Sequence, residues 1–185
     1  GLKEAHFHTN ETIFEIEELP QTLPVVGGGP IGIELAQAFA RLGSRVHVVE
    51  ALPTFFAKED AEVAERLRVQ LEGEGIVLHL ATQATRVRQD GGRTVLTLKG
   101  ADGAERELVG DALLLAVGRS PNVADLKLDA VGVKTDRGGV ITDSKLRTNV
   151  DGIFAVGDIV SGGLKFTHVA DHMARAVLRN VAVRV

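Results

Sequence analysis

Three glycines carry the first chemical signal in this sequence. Gly27, Gly29 and Gly32 stand in the spacing G-x-G-x-x-G within VVGGGPIGIE (25–34). At that spacing the first glycine permits a sharp strand-to-helix turn. The second removes a Cβ so that a pyrophosphate can reach bare backbone, and the third lets helix and strand pack closely. The N–H groups of a first helical turn lack intrahelical partners, and with the helix dipole they attract phosphate. Pro30 suits this turn because its missing N–H costs nothing there. Pro30 and Ile31 complete the candidate cradle between the second and third glycines.

A carboxylate about twenty residues further on is the companion signal. Glu50 closes RVHVVE (45–50), a predicted second strand. A carboxylate there accepts hydrogen bonds from adenosine ribose hydroxyls and repels a 2′-phosphate, which favours NAD(H) over NADP(H). The plainer reading makes the glycines a tight turn and Glu50 a solvated strand end. Glu34 lies one turn into the same helix. By residue type alone it is either an exposed helix glutamate or a group facing the nicotinamide end of the cofactor.

The elements that must position these residues follow from periodicity. LPVV (23–26) reads as a short buried strand with Pro24 at its beginning. From Pro30 to Leu42 apolar residues recur at helical spacing, and Gly43 is placed to end the helix. A second helix is predicted from Asp60 to Glu72 with Val63, Leu67 and Leu71 inward, and IVLHL (76–80) as a third strand. ATRVRQ, TVLTLK and RELVGDALLLAVG then read as strands joined by Asp90-Gly91-Gly92 and Gly100–Gly103, a β-meander. GIFAVG (152–157) is predicted as another buried strand and 167–180 as a last helix. Near the start, NETIFEIEEL suggests a short helix capped by Thr9 or Asn10. The order βαβαβ, meander, β, α is that of an α/β domain.

Composition narrows the function classes. Of 185 residues, 44% are hydrophobic and 25% charged, as in an ordinary globular fold. A net charge of −4 argues against a nucleic-acid partner and mildly against an anionic membrane surface. No apolar run approaches the roughly 18 residues of a membrane span, and the first residues lack the pattern of a signal peptide. Cysteine is absent, which excludes a disulfide framework, a thiolate metal site and a cysteine nucleophile from these residues. The expected setting is cytoplasmic.

Three further stretches are more specific: AVGRSPN (116–122), TNVDGIFAVGDI (148–159) and KFTHVADHMARAVLRN (165–180). With GGGPIGIELAQAFARLG they resemble the flavin-dependent pyridine nucleotide-disulfide oxidoreductases, most closely the mercuric reductase and dihydrolipoamide dehydrogenase branches. The resemblance implies a Rossmann-like FAD/NAD(P)-binding fold, a central parallel sheet with a crossover meander. It implies a crossover segment at 1–20, an NAD(P)-binding domain at 21–149, and at 150–185 the C-terminal strand and helix of an incomplete FAD-binding domain. It implies that hydride passes from NADH to FAD and on to a disulfide, metal ion or similar acceptor. Ala116, Val117 and Gly118 are implied as backbone contacts to the nicotinamide nucleotide, and Glu34 as a neighbour of the flavin–nicotinamide junction. Asp158 is implied to bond the ribitol chain of FAD, and the helix start at Thr167 to face the flavin pyrimidine edge.

The departures from the family pattern shape the expectation. No G-x-G-x-x-G precedes Gly27, the redox C-x-x-x-x-C is absent, and the dimerisation domain with its catalytic His and Glu is missing. His168 and His172 do not match that motif and read as helix-surface residues. Pro30 occupies a gate position that is often aromatic in relatives. The expected behaviour is NADH binding without turnover, FAD belonging to the full-length parent and not retained by this chain. The partners are then NADH and the parent's missing FAD and dimerisation domains. Apolar residues in 150–185 (Phe154, Val156, Val169, Met173, Val177, Leu178) are expected to promote self-association. A stand-alone nucleotide-binding module and one chain of a split FAD enzyme are the alternatives.

Overall fold

A computed structural model describes residues 1–57 and 59–183. The chain divides into two compact units, residues 1–118 and 119–185.

The first unit is built on a four-stranded parallel sheet. Its strands are β1 (Thr22–Val26), β2 (Arg45–Val49), β3 (Val77–His79) and β7 (Leu114–Leu115), in the order β3-β2-β1-β7. Helix α1 (Pro30–Leu42) connects β1 to β2, and α2 (Ala61–Gly73) connects β2 to β3. One face of the sheet, with Leu23, Val25, Val46 and Val48, packs on Ile33, Ala36 and Phe39 of α1 and Leu71 of α2. Each fully buried side chain of this size contributes about 1.5–3 kcal/mol.

The helix ends follow from local chemistry. Gly43 adopts φ 113 and its N–H donates to the Ala40 carbonyl, which stops α1 where the sequence expects it. Asp60 caps α2, its side chain accepting from the amides of Glu62 and Val63. Val63 is 62% exposed, contrary to its predicted inward place; Ala64 and Leu71 are the buried positions, one residue out of phase with it.

The opposite face of the sheet is covered by the meander: β4 (Gln83–Asp90), β5 (Arg93–Lys99) and β6 (Glu105–Gly110), all antiparallel. Gly91 and Gly92 both have positive φ in the two-residue turn between β4 and β5. Val87, Leu96 and Leu98 pack with Val49 and Leu113. RELVGDALLLAVG, expected as one piece, is split. Asp111 donates its N–H to the Thr22 carbonyl and accepts the Thr22 N–H on Oδ2 at 2.8 Å, and beyond it the chain leaves the meander and joins the parallel sheet as β7.

Pro24 is the middle residue of β1, not its beginning. The carbonyls of Thr22 and Val26 accept from Asp111 and Ala116 on the β7 side. Strand alternation turns the Pro24 nitrogen to that same side, where the β7 ladder starts only at Val25. No ladder bond is lost, and the ring lies against Gly110, where a Cβ would collide with it.

The amino-terminal segment forms only a 3₁₀ turn, Thr12–Glu15, with no side-chain cap. The Thr12 hydroxyl accepts the Thr9 N–H instead, a local bond that competes with a regular helix start.

The second unit holds a small core of Val133, Val140, Ala155 and Val160. Strands β8 (Thr135–Asp136) and β9 (Gly139–Val140) form a two-stranded hairpin, and α3 (Thr167–Val183) is its main helix. GIFAVG is not a strand. Among the described residues Phe154 makes one isolated bridge, to Arg147, and Gly157–Ile159 turns into a 3₁₀ helix. A strand needs a continuous ladder, and one bridge does not supply it. No helix among the described residues is long and apolar enough to cross a membrane.

Candidate functional site

In the first unit Gly27 and Gly32 meet the steric demands read from the sequence. Gly27 has φ +110, and a Cβ there would collide with the Ala116 carbonyl. A Cβ on Gly32 would collide with the Gly27 carbonyl, so the third glycine is a packing requirement of the turn itself. Gly29 differs from both. It is the N-cap of α1 at φ −77 and ψ 178, a conformation open to any residue, and a Cβ would meet nothing within 4 Å. The space above Gly29 is empty, and no side chain caps the first turn of α1. Backbone donors therefore face an open approach, the arrangement that receives a phosphate. Pro30 is exposed and Ile31 half-buried beside it.

Glu50 is fixed in place. Its Oε2 accepts the Gly28 N–H and its Oε1 accepts the Leu52 N–H, both at 2.8 Å. A Cβ on Gly28 would press on the Glu50 side chain at 3.1 Å, which explains the extra glycine at a position the motif leaves free. The carboxylate thus ties the end of β2 to the glycine turn, and each oxygen keeps a lone pair for a further donor. It is half-buried and is not a solvated strand end.

The end of β7 completes the cluster. Ala116 donates its N–H to the Val26 carbonyl at 2.8 Å and is half-buried against Gly27. Val117 is 73% exposed, and Gly118 has φ +134 with nothing within 4 Å of a Cβ. Gly27, Gly29, Gly32, Glu50 and 116–118 therefore converge at the carboxyl ends of the parallel strands, where ligands of open α/β sheets bind. Glu34 is exposed on α1.

In the second unit Asp158 lies in the 3₁₀ helix and pairs with Arg119, Oδ2 to Nη2 at 3.0 Å. The Lys165 ammonium donates to the Arg119 carbonyl at 2.9 Å, so Arg119 is tied to the segment before α3. Arg119 was not singled out from the sequence; its place inside that motif was the available signal. The Gly157 N–H donates to the Met173 sulfur, which seats the Asp158 turn on α3. Thr167 is the first residue of α3 and is exposed. His168 and His172 are both exposed on that helix. Leu164, Phe166, Leu178 and Val181 leave 66%, 42%, 69% and 54% of their surface uncovered.

A sequence profile of the pyridine nucleotide-disulphide oxidoreductases matches residues 1–174. The chain belongs to that family. Within the family it is 38% identical over 166 residues to the dihydrolipoyl dehydrogenase of Rhizobium etli, covering 90% of this chain and 34% of that protein. It is 39% identical over 160 residues to the mercuric reductase of Streptomyces lividans, covering 86% of this chain and 33% of that protein. The chain thus spans about a third of the length of these curated relatives. Among solved structures, the HOCl-induced flavoprotein disulfide reductase RclA from Escherichia coli superposes with a TM-score of 0.88 at 30% identity, over 97% of this chain and 40% of that chain. LpdA from Mycobacterium tuberculosis gives 0.84 at 31% identity, over 94% and 37%. The fold is the Rossmann-like α/β architecture of these oxidoreductases.

Proposed function

We propose that this chain binds NADH as the pyridine-nucleotide module of a flavoprotein oxidoreductase, and prefers NADH to NADPH. The observation that carries this reading is the Glu50 carboxylate, held by the amides of Gly28 and Leu52 beside the open N-cap Gly29. The bare backbone at Gly29 and the uncapped first turn of α1, with Pro30 and Ile31, receive the pyrophosphate. Glu50 accepts from the adenosine ribose hydroxyls, and a 2′-phosphate beside it meets a fixed negative charge. Ala116, Val117 and Gly118 border the nicotinamide half, and Glu34 stands further along α1.

A flavin bound in the parent protein would supply the relay that takes the hydride of NADH to a disulfide, metal ion or similar acceptor. In this reading Asp158 would accept from the flavin ribitol chain and the start of α3 at Thr167 would support the ring. The ion pair with Arg119 orients Asp158 until the ribitol competes for it. In this reading the 185 residues supply NADH binding, and turnover requires the flavin of the parent protein. The remaining flavin lobe and a dimerisation domain are assigned to the parent, and the exposed apolar side chains around α3 to contact with them or with a second copy.

Calorimetric titration of the chain with NADH and NADPH, on wild type and Glu50→Ala, tests the reading. NADH is expected to bind tighter than NADPH, and Glu50→Ala to weaken NADH and narrow the gap. Equal affinity for both nucleotides in the wild type would defeat the assignment of Glu50.

A further inference from the structure

Two imidazoles outside the glycine turn face each other in the first unit. His47 on β2 and His79 on β3 sit with Nδ1 and Nε2 3.1 Å apart. Their ring centroids are 5.4 Å apart and the planes differ by 18°, so the rings lie edge to edge and share one N–H···N bond. Both are half-buried. β3 is an edge strand of three residues whose ladder partner is β2, and this side-chain bond adds a second link between the two strands.

The pair lies directly behind the proposed ribose carboxylate. The Glu50 N–H donates to the His79 carbonyl at 2.9 Å, and the Thr82 N–H donates to the Glu50 carbonyl at 3.0 Å. The backbone of Glu50 is therefore held by β3 and the residues just after it, while its side chain holds Gly28.

The charge around the pair is one-sided. Burial lowers the pKa of both rings. His79 and Arg45 lower that of His47 further, and Arg106 on β6 lowers that of His79. Across β1 the residue in register with His47 is Pro24, which carries no charge. The shared bond needs one nitrogen with a free lone pair. It survives a first proton and is lost with a second, when both facing nitrogens carry hydrogen and both rings are positive.

We propose that the His47–His79 pair is an acid-release clasp on the dinucleotide pocket. While the rings share a proton, the clasp fixes β3 and the Glu50 backbone. When both are protonated the rings part, β3 loosens, and the pocket releases its ligand. The clasp rests on the NADH reading for its ligand. The sign follows from the lowered values: the closed form binds protons less readily than the open form. The clasp is fully effective above the ordinary histidine pKa of about 6.5 and is lost as pH falls below it.

The test uses the full chain and ADP-ribose, which survives acid, titrated at pH 7.5 and 5.5. The variant His79→Gln keeps a hydrogen-bonding partner for His47 without a second titrating ring, and His47→Gln serves if that variant does not fold. Wild type is expected to lose roughly tenfold in affinity between the two pH values, the effect of one linked proton per pH unit. The variant is expected to change by about twofold or less. Equal losses in wild type and variant, or no loss in wild type, overturn the clasp. Absence of ADP-ribose binding at pH 7.5 would instead sink the nucleotide reading. The clasp is then judged on the hydrogen-exchange protection factor of the Glu50 amide. That factor is expected to fall with pH in wild type only; an unchanged factor overturns the proposal.

Discussion

Replacing Gly29 and Gly32 by alanine, one at a time, separates what the glycine turn needs to fold from what it needs to bind. At Gly29 a methyl meets nothing within 4 Å, and φ −77 suits any residue. Alanine is a poorer N-cap than glycine by about 0.5–1 kcal/mol, but it stabilises through the unfolded chain by a similar amount. The net effect on folding is within about 1 kcal/mol of zero. In the proposed function the same methyl stands where the pyrophosphate approaches. Pushing it away loses one or two charge-assisted hydrogen bonds of about 1.5–3 kcal/mol each, and affinity for NADH falls at least about tenfold. At Gly32 the methyl runs into the Gly27 carbonyl. Backbone overpacking belongs at the upper end of the usual range of about 1–3 kcal/mol, and helix propensity returns about 1. Gly32→Ala is expected to lose about 2 kcal/mol of stability. Urea denaturation and NADH fluorescence titration on the same preparations read both quantities. A folded Gly29→Ala chain that binds NADH as tightly as wild type, or a Gly32→Ala chain as stable as wild type, refutes this reasoning.

Other perturbations have equally definite outcomes. Glu50→Gln keeps the size of the side chain but weakens its acceptance of the Gly28 and Leu52 amides; a stability loss of about 1 kcal/mol is expected in denaturation, with NADPH affinity rising relative to NADH. Leu71→Ala empties a fully buried position between α2 and the sheet, and should cost about 2–5 kcal/mol in urea titration. Glu74 joins the helices by accepting from Arg41 on α1 and Gln70 on α2. These bonds, Arg41 first, hold its carboxyl down at about 2. Its stabilising effect is present above the ordinary carboxylate range and is lost as pH falls from there toward 2. Thermal melts of wild type and Glu74→Gln should differ at pH 6 and converge near pH 2.

Sequence reading reached furthest where local chemistry decides the structure. Helix α1 runs from Pro30 to Leu42 because proline favours the first turn and Gly43 the left-handed stop, both visible in the sequence. The hairpin at Asp90-Gly91-Gly92 is legible for the same reason. Features set by tertiary contact were not. Gly28 looks like a spare residue until the Glu50 carboxylate is seen against it. The division of RELVGDALLLAVG depends on a bond between Asp111 and Thr22, far apart in the chain. Pro24 sits mid-strand because β7 pairs with β1 only from Val25 onward. GIFAVG has the composition of a strand, but among the described residues only Arg147 bridges it. The His47–His79 bond joins residues from separate strands, and no spacing rule announces it.

The central claim is that a pyridine nucleotide seats on the glycine turn of this chain. Amide chemical shifts of the isotopically labelled chain, followed while NADH is added, test it most directly. The largest changes are expected at Gly28, Gly29, Ile31 and Gly118, saturating at one NADH per chain. A saturated titration whose shifts lie elsewhere, or no shifts at millimolar NADH, would contradict it.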